Sequence, residues 1–382
     1  MDYAEFMLKN SPNTSSRRIE ISKGYAVFRC KDDKIAFKTI RDMLHFLCAV
    51  RLKYRFPVPI CFNLEMVPFL DKLTILMFEC VCYILITEWH HRVRITGLKS
   101  YHGIIADGAR SSPLQLLTTS KENSQSKFQH RFKSDIYQNH YRKFIPADAA
   151  YDTALSVIMQ DLDSFLRNLN VKQDYRRDIT NVIVELIGNA CEHGDADSLI
   201  DIDVTGLYKN KMKDGDFRGL NFAMVSLSEI PFGHDLQEKI SQLSYDACNE
   251  RYAYVKKAYE NHGKFFSDSY TPLDFFRIAA FQHHISGRKS NGFSGGTGLT
   301  KLIRSLEDMA DAHNCYMITE SRSIWFYRDF LEYNSENWIG FNHERSLMDA
   351  PPDDKVLSGS DLYVPGTAFN LCFIMKEDNE DE

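Results

Sequence analysis

Three polar side chains spaced four residues apart are the part of the sequence best suited to chemistry. They are Glu185, Asn189 and His193, in the segment DITNVIVELIGNACEH at 178–193. At about 3.6 residues per helical turn, steps of four place them on one narrow stripe beside an apolar arc. A carboxylate one turn before a carboxamide offers a general base and a metal-binding oxygen in one cleft. The alternative is a solvated helix face, which is the commoner use of such spacing.

A glycine-rich loop further along the chain offers a site for an anion. The sequence SNGFSGGTGLTKL contains Gly292, Gly295, Gly296 and Gly298, and helical spacing begins at about Leu299. Glycines let backbone N–H groups approach an anion, and a helix N-terminus adds unpaired donors and a positive dipole end. The loop lacks the Gly-Lys-Ser/Thr of a P-loop, so a flexible turn stays open as the alternative.

Strands and helices around these segments must hold them in place. Two apolar segments, 198–205 and 220–227, predict strands that pair antiparallel, and 315–327 predicts a hairpin with its turn near 321–323. A closing strand is expected at 364–375. Helices are expected at 157–169, packed against the 178–193 helix, and near 235–259 and 272–284.

These pieces resemble, in this order, the GHKL superfamily of ATPases and kinases, which share the Bergerat ATP-binding fold. The match lies in the N box (Glu185, Asn189 and His193), the glycine box (Gly296-Thr297-Gly298-Leu299, preceded by Gly295) and the pair Gly366-Thr367. Its NA-x-x-HG form looks most like anti-sigma-factor serine kinases and histidine-kinase-like ATPases. One box departs from the pattern, because Glu229-Ile-Pro-Phe-Gly233 stands where the family has Asp-x-Gly-x-Gly.

The resemblance implies ATP and Mg²⁺ as cofactors and gives each residue a role. Asn189 would bind Mg²⁺, Glu185 would act as general base, and the glycine box would hold the phosphates. Glu229 and Gly233 would lie at the adenine with Thr367, and the altered box puts adenine selection in doubt. His193 would either line the site or only pack beside it.

The N-terminal third predicts a small α/β unit. A strand pair with a turn at Lys23-Gly24 precedes a helix over 34–54, a strand over 57–64, a helix over 71–87 and a strand over 92–96. This segment resembles a STAS domain at Asn63, Phe69 and Asp71, although Lys72 stands where regulatory members carry a phosphorylatable Ser. A generic small α/β domain is the alternative.

The predicted fold class is α+β, with a C-terminal Bergerat-type α/β sandwich that has a mixed sheet, helices on one face and a helical lid. The predicted domains are a small α/β domain at 1–110, a polar linker or bridge at 111–149, the ATP-binding domain at 150–376 and an acidic tail at 377–382. The polar composition around 111–149 indicates the linker.

Composition and charge restrict the partners. The chain has 382 residues and a net charge of −6, which argues against a general nucleic-acid binder. The apolar segment 66–86 contains three charged residues, so we expect a buried helix and no membrane partner. Nine scattered cysteines without a CxxC pair suit reduced thiols in the cytoplasm.

Three functions remain from the sequence. The first is an ATPase or a kinase that transfers phosphate to a protein Ser/Thr as a regulatory switch. The second is a nucleotide-gated interaction module without significant turnover, and the third is a structural protein that keeps the fold without nucleotide. A protein partner or substrate is expected in the first two, and a homodimer is a further alternative.

Overall fold

The computed structural model describes residues 6–7, 9–10, 19–99, 111–119, 121, 123–148, 151–194, 197–209, 215–243, 250–285, 298–309 and 314–377. For 151–153, 191–194 and 298 the description covers the helical backbone alone. Within these residues the protein is α+β, with two sheets and ten α-helices. The predicted general class is therefore confirmed.

The N-terminal part of the chain forms a four-stranded sheet. A tight turn at Lys23 and Gly24, with φ of 49° and 80°, joins the first two strands antiparallel, as predicted. The next two strands pair parallel, each after a helix, which confirms the predicted order. The elements are β1 (Glu20–Ser22), β2 (Tyr25–Arg29), α1 (Phe37–Lys53), β3 (Ile60–Asn63), α2 (Lys72–Thr87) and β4 (Val93–Thr96). The STAS resemblance stays a prediction.

A second, larger sheet contains seven strands. They are β5 (Ser134–Tyr137), β6 (His140–Ile145), β7 (Ser198–Val204), β8 (Tyr208–Lys209), β9 (Asp216–Ser226), β10 (Tyr316–Trp325) and β11 (Leu357–Glu377). Their order is β10-β11-β9-β7-β6-β5, with β8 paired to β9. Each of these pairings is antiparallel, so the prediction of a mixed sheet is wrong for this part of the chain. Parallel pairing occurs in the small sheet, where helices connect the strands.

Two segments of the larger sheet differ from the sequence-based predictions. The segment 315–327 forms the single strand β10 rather than a hairpin, and register shifts against β11 on both sides of Glu320 accommodate its polar middle. Residues 134–145, predicted within a linker, form β5 and β6. Strand β5 is polar because it is an exposed edge strand. Strand β6 is polar because its His140 and Arg142 are buried beside carboxylates.

The remaining helices support the front of the larger sheet or cover its back. They are α3 (Leu114–Leu117), α4 (Ser124–Lys133), α5 (Tyr151–Asn168), α6 (Gln173–Gly194), α7 (His234–Gln242), α8 (Glu250–His262), α9 (Pro272–Ala279) and α10 (Gly298–Met309). Helices α5 and α6 pack together, as predicted, and α10 packs on α6. The helix predicted near 235–259 is two helices, α7 and α8. The predicted helical lid is, in its described part, packed into the core through aromatic side chains of α8 and α9.

Both faces of the larger sheet are covered, so the prediction of helices on one face is wrong. Along β9, Leu220, Phe222 and Met224 face a core shared with α5, α6 and α10, which we call the front. Ala223 and Val225 face a core shared with α1, α2 and α4, which we call the back. The strands alternate between two apolar faces because each face is covered by helices.

Helix α2 lies between the small sheet and the back of the larger sheet. Every residue from Lys72 to Ile86 is buried, and Asp71 begins the helix by accepting a hydrogen bond from the Thr74 amide at 2.8 Å. Burial on all sides explains why the segment is apolar all round. In the part of the chain described here, no helix combines the length and apolar character needed to span a bilayer.

Candidate functional site

Helix α6 carries two of the predicted site residues at its exposed edge. Ile179, Val182, Ile183 and Ile187 are fully buried against the front of the sheet. The side chains of Glu185 and Asn189 are half-buried beside this apolar face, as the predicted stripe requires. The backbone of His193 belongs to the last turn of α6, and its side chain lies outside the described residues.

Helix α10 places the end of the glycine box next to α6. The helix begins at Gly298, and Leu299 packs partly against the front core. The Lys301 ammonium lies 3.5 Å from Glu185 Oε1, with both side chains partly exposed. The structure thus brings Glu185 beside the start of α10. Lys301 was not among the site residues predicted from the sequence. Its position one turn into the helix after the glycine-rich loop is the only sequence feature that points to it.

The loop before α10 carries the remaining glycine-box residues. Gly295, Gly296 and Thr297, together with Gly292, lie outside the described residues. Gly298 is described by its helical backbone alone. The predicted contact between this loop and a phosphate therefore stays a prediction.

A row of hydroxyl side chains crosses the front of the sheet at one end. Ser198 of β7 is opposite Ser226 of β9, and Ser226 is opposite Thr367 of β11. Each lies two positions along its strand from a front-core residue, which is Ile200, Met224 or Phe369, so the row is on the α6 side. Ser198 and Ser226 Oγ are buried without a hydrogen-bond partner among the described residues. The sequence signal for these two serines is a polar residue at the front-facing end of an apolar strand.

Gly366 is what allows β11 to reach this row. Its φ is +80°, and a Cβ there would lie 2.3 Å from the Ser226 oxygen and 2.5 Å from the Ser228 nitrogen. Because real Cβ atoms do not approach this closely, only glycine fits at this position. The Gly366-Thr367 pair therefore has a local structural reason, which is to set Thr367 beside Ser226.

The segment from Glu229 to Gly233 leaves the end of β9 at the same edge. Glu229 is exposed, whereas Ser228 is buried and its Oγ accepts a hydrogen bond from the Ile230 amide at 3.1 Å. Gly233 has a φ of +91° at the start of α7, and a Cβ there would lie 2.9 Å from the Arg277 nitrogen. Gly233 is thus required for the close approach of α9, whatever ligand the site binds.

A second polar cluster, which we call the back cluster, is buried on the opposite face of the sheet beneath α2. Lys72 contacts Asp201 and Asp203, and Arg142 contacts Asp201 and Glu79. Its members are all nearly or fully buried: Lys72 and Glu79 of α2, His140 and Arg142 of β6, and Asp201 and Asp203 of β7. Removing such charges from water is costly unless each one is paired, as these are.

The charges in the back cluster set one another's protonation. Burial alone would raise the pKa of Asp201, but Arg142 and Lys72 hold it well below its usual value. Burial would lower the pKa of His140, but Asp201 and Asp135 raise it above its ordinary value.

Two further contacts hold the start of α2 against the larger sheet. Tyr316 Oη donates to Asp71 at 2.6 Å, and the Leu73 amide donates to Asn370 Oδ1 at 3.0 Å.

The back cluster meets the distance requirement for a metal site but holds a protein cation instead. One ligand atom from each of His140, Asp201 and Asp203 lies within 4.8 Å of the others. The Lys72 ammonium bridges the two carboxylates. A divalent ion would have to displace a buried ammonium that already pairs with both carboxylates. We therefore interpret the cluster as an ion-pair network that joins α2 to the sheet.

The front and back of the larger sheet thus carry two different polar groups. The front has a carboxylate and a carboxamide on α6, the start of α10 and, at the sheet end, two serine hydroxyls with no hydrogen-bond partner in the described part of the chain. The back has the buried ion-pair network. Comparison of the chain with protein-family models, with curated proteins and with solved structures finds no match.

Proposed function

We propose that the chain binds Mg²⁺-ATP on the front of the larger sheet in the manner of GHKL proteins. One observation carries this proposal: Glu185 of α6 faces Lys301, one turn into the helix that follows the glycine-rich loop. Two segments chosen for their chemistry, more than a hundred positions apart in the sequence, thus lie next to each other. The resemblance to GHKL proteins implies that the N box and the glycine box lie close together in this way.

The polar groups at the sheet end favour a ligand with hydrogen-bonding atoms. Buried hydroxyls normally have partners, and Ser198 and Ser226 Oγ have none among the described residues. A purine ring offers both donors and acceptors to such groups. Thr367, half-buried beside Ser226, would extend the row toward the same ligand. These hydroxyls would orient the base, in place of the exposed Glu229.

The phosphate end of the ligand would lie between α6 and α10. The first backbone N–H groups of α10 are unpaired within the helix and favour negative charge. Asn189 would supply an amide oxygen for Mg²⁺, a cation that accepts few protein ligands. Bound Mg²⁺ would neutralise phosphate charge. Glu185 would take the proton from an attacking hydroxyl, and Lys301 would keep that carboxylate oriented.

The proposed output is a regulatory switch, either by hydrolysis or by phosphate transfer to a protein Ser/Thr. A nucleotide-gated interaction module without significant turnover is the second candidate. The exposed position of Glu229 and the rigid Pro231 after it favour this candidate, because neither preserves the family's adenine box. A protein partner or a homodimer belongs to either candidate.

Calorimetry and phosphate release with Mg²⁺-ATP test the proposal. We expect the wild type and Glu185→Gln to bind ATP with affinities within about threefold, because the variant keeps the size and polarity of the side chain. Loss of a general base should lower turnover at least about a hundredfold. Glu260→Gln, at an exposed position of α8, is the matched control and should leave both quantities unchanged.

Each outcome separates the candidates. Binding with turnover that Glu185→Gln loses supports the enzyme, and binding without turnover in the wild type supports the interaction module. Failure of the wild type to bind ATP would overturn the nucleotide proposal. Equal turnover in wild type and Glu185→Gln would show that Glu185 is not the base.

A further inference from the structure

One end of the small sheet combines exposed apolar side chains with positive charge. Helices α1 and α2 end there, and β3 and β4 begin there. The residues come from two segments, 51–56 (RLKYRF) and 88–92 (EWHHR). We call this region the basic apolar surface. It is separate from the front site, because α2 and the larger sheet lie between them.

The apolar part of this surface has no role in the core. Phe56 is 81% exposed and Leu52 is 74% exposed, and no other large hydrophobic residue in the described part of the chain exceeds 58%. Both side chains thus stand free of the fold although each would gain from burial. Neighbouring exposed apolar side chains of this kind mark a contact with another body.

The charged part of this surface is cationic. Arg51, Lys53, Arg55 and Arg92 lie on it, and Glu88 is the only acidic residue within its two segments, whereas the whole chain has a net charge of −6. Within the described residues none of the four cations forms an ion pair. Arg51 and Lys53 instead lie over aromatic rings. The surface is therefore complementary to an anionic partner.

One contact joins the two segments directly, and two more join 88–92 to the residues that follow 51–56. The Arg51 guanidinium lies 4.7 Å from the centroid of the Trp89 ring. The His91 ring Nδ1 is 2.7 Å from the Val58 oxygen, and the Ile60 amide donates to the Arg92 oxygen at 2.7 Å. Phe56 and the cations are therefore presented from a folded frame.

We propose that the basic apolar surface binds an anionic lipid membrane. Leu52 and Phe56 enter the boundary between headgroups and acyl chains, and the surrounding cations contact lipid phosphates. A nucleic acid fits less well. Leu52 has no ring on which a base can stack, and cations already lie over the rings of Trp89 and Tyr54, which leaves the exposed ring of Phe56 for stacking. Such a contact needs no spanning helix, and it revises the expectation from the sequence that the chain has no membrane partner.

Vesicle cosedimentation of the full chain tests this proposal. Vesicles of phosphatidylcholine alone are compared with vesicles that also contain phosphatidylserine. We expect binding to the anionic vesicles only, weakened by salt because exposed charges are screened. Phe56→Ser should lower the vesicle affinity about tenfold. Arg55→Gln should lower it about fivefold, which is about 1 kcal/mol for one cation at an anionic surface.

Matched control variants distinguish binding through this surface from nonspecific binding to vesicles. Tyr137→Ser removes an aromatic side chain that is 58% exposed on β5, and Lys257→Gln removes an exposed cation on α8. Both should bind anionic vesicles like the wild type. The proposal is overturned by absence of vesicle binding, or by equal loss in these controls. Binding of a single-stranded oligonucleotide but not of vesicles, lost in Phe56→Ser, would assign the surface to nucleic acid instead.

Discussion

Replacing Lys72 by methionine should destabilise the protein by about 3–5 kcal/mol, which is the usual cost of removing one partner from a buried ion pair. The ammonium is buried between Asp201 and Asp203. Without it, Asp201 keeps Arg142 and His140. Asp203 keeps a hydrogen bond from Ser111 Oγ at 2.9 Å but no cation of α2. The lost stability follows from this remaining buried carboxylate.

Urea unfolding followed by tryptophan fluorescence measures the effect as a change in the free energy of unfolding. Lys38→Met is the matched control, because Lys38 is 58% exposed and lies 3.6 Å from Asp32. It should cost about 1 kcal/mol or less, as surface ion pairs do. Adding Asp203→Asn to Lys72→Met removes the isolated charge and should restore part of the stability. Equal losses in Lys72→Met and Lys38→Met would refute the reasoning.

Two further predictions concern the two faces of the sheet. Burial would lower the pKa of His140, but Asp201 and Asp135 raise it above its ordinary value. The imidazolium of His140 therefore stabilises the fold fully below about pH 6.5. This contribution is lost as the pH rises through the folded pKa, and unfolding titrations of His140→Gln should lack the decline. Gly366→Ala should cost about 1–3 kcal/mol, because its positive φ and the nearby β9 backbone leave no room for a methyl group. Gly359→Ala, with open space around it, should leave the thermal midpoint nearly unchanged.

The sequence predicts local features of the front site well. Steps of four on an apolar helix locate Glu185 and Asn189 correctly at the edge of the buried face, because helical period is a local property. The pairing of Ser198, Ser226 and Thr367 could not be predicted in the same way. It depends on the register of three strands, and a shift of one residue would turn these hydroxyls to the other face.

The buried ion pairs on the back of the sheet could not be predicted from the sequence. A lysine in the first turn of a helix normally points to solvent, and nothing near Lys72 in the chain indicates that Asp201 and Asp203 will surround it. The polar residues His140 and Arg142 likewise suggested a linker, although they belong to a buried strand. Polarity predicts exposure only where no opposite charge from a distant segment is available.

Helix α2 belongs chemically to both halves of the chain, and this limits how the protein can be divided. Cutting between residues 99 and 111 would leave Lys72 and Glu79 on one fragment and Asp201 and Arg142 on the other. Each fragment would then expose an apolar surface that carries charged side chains without their ion-pair partners. The N-terminal part therefore completes the back core of the larger sheet, and we expect either fragment expressed alone to aggregate.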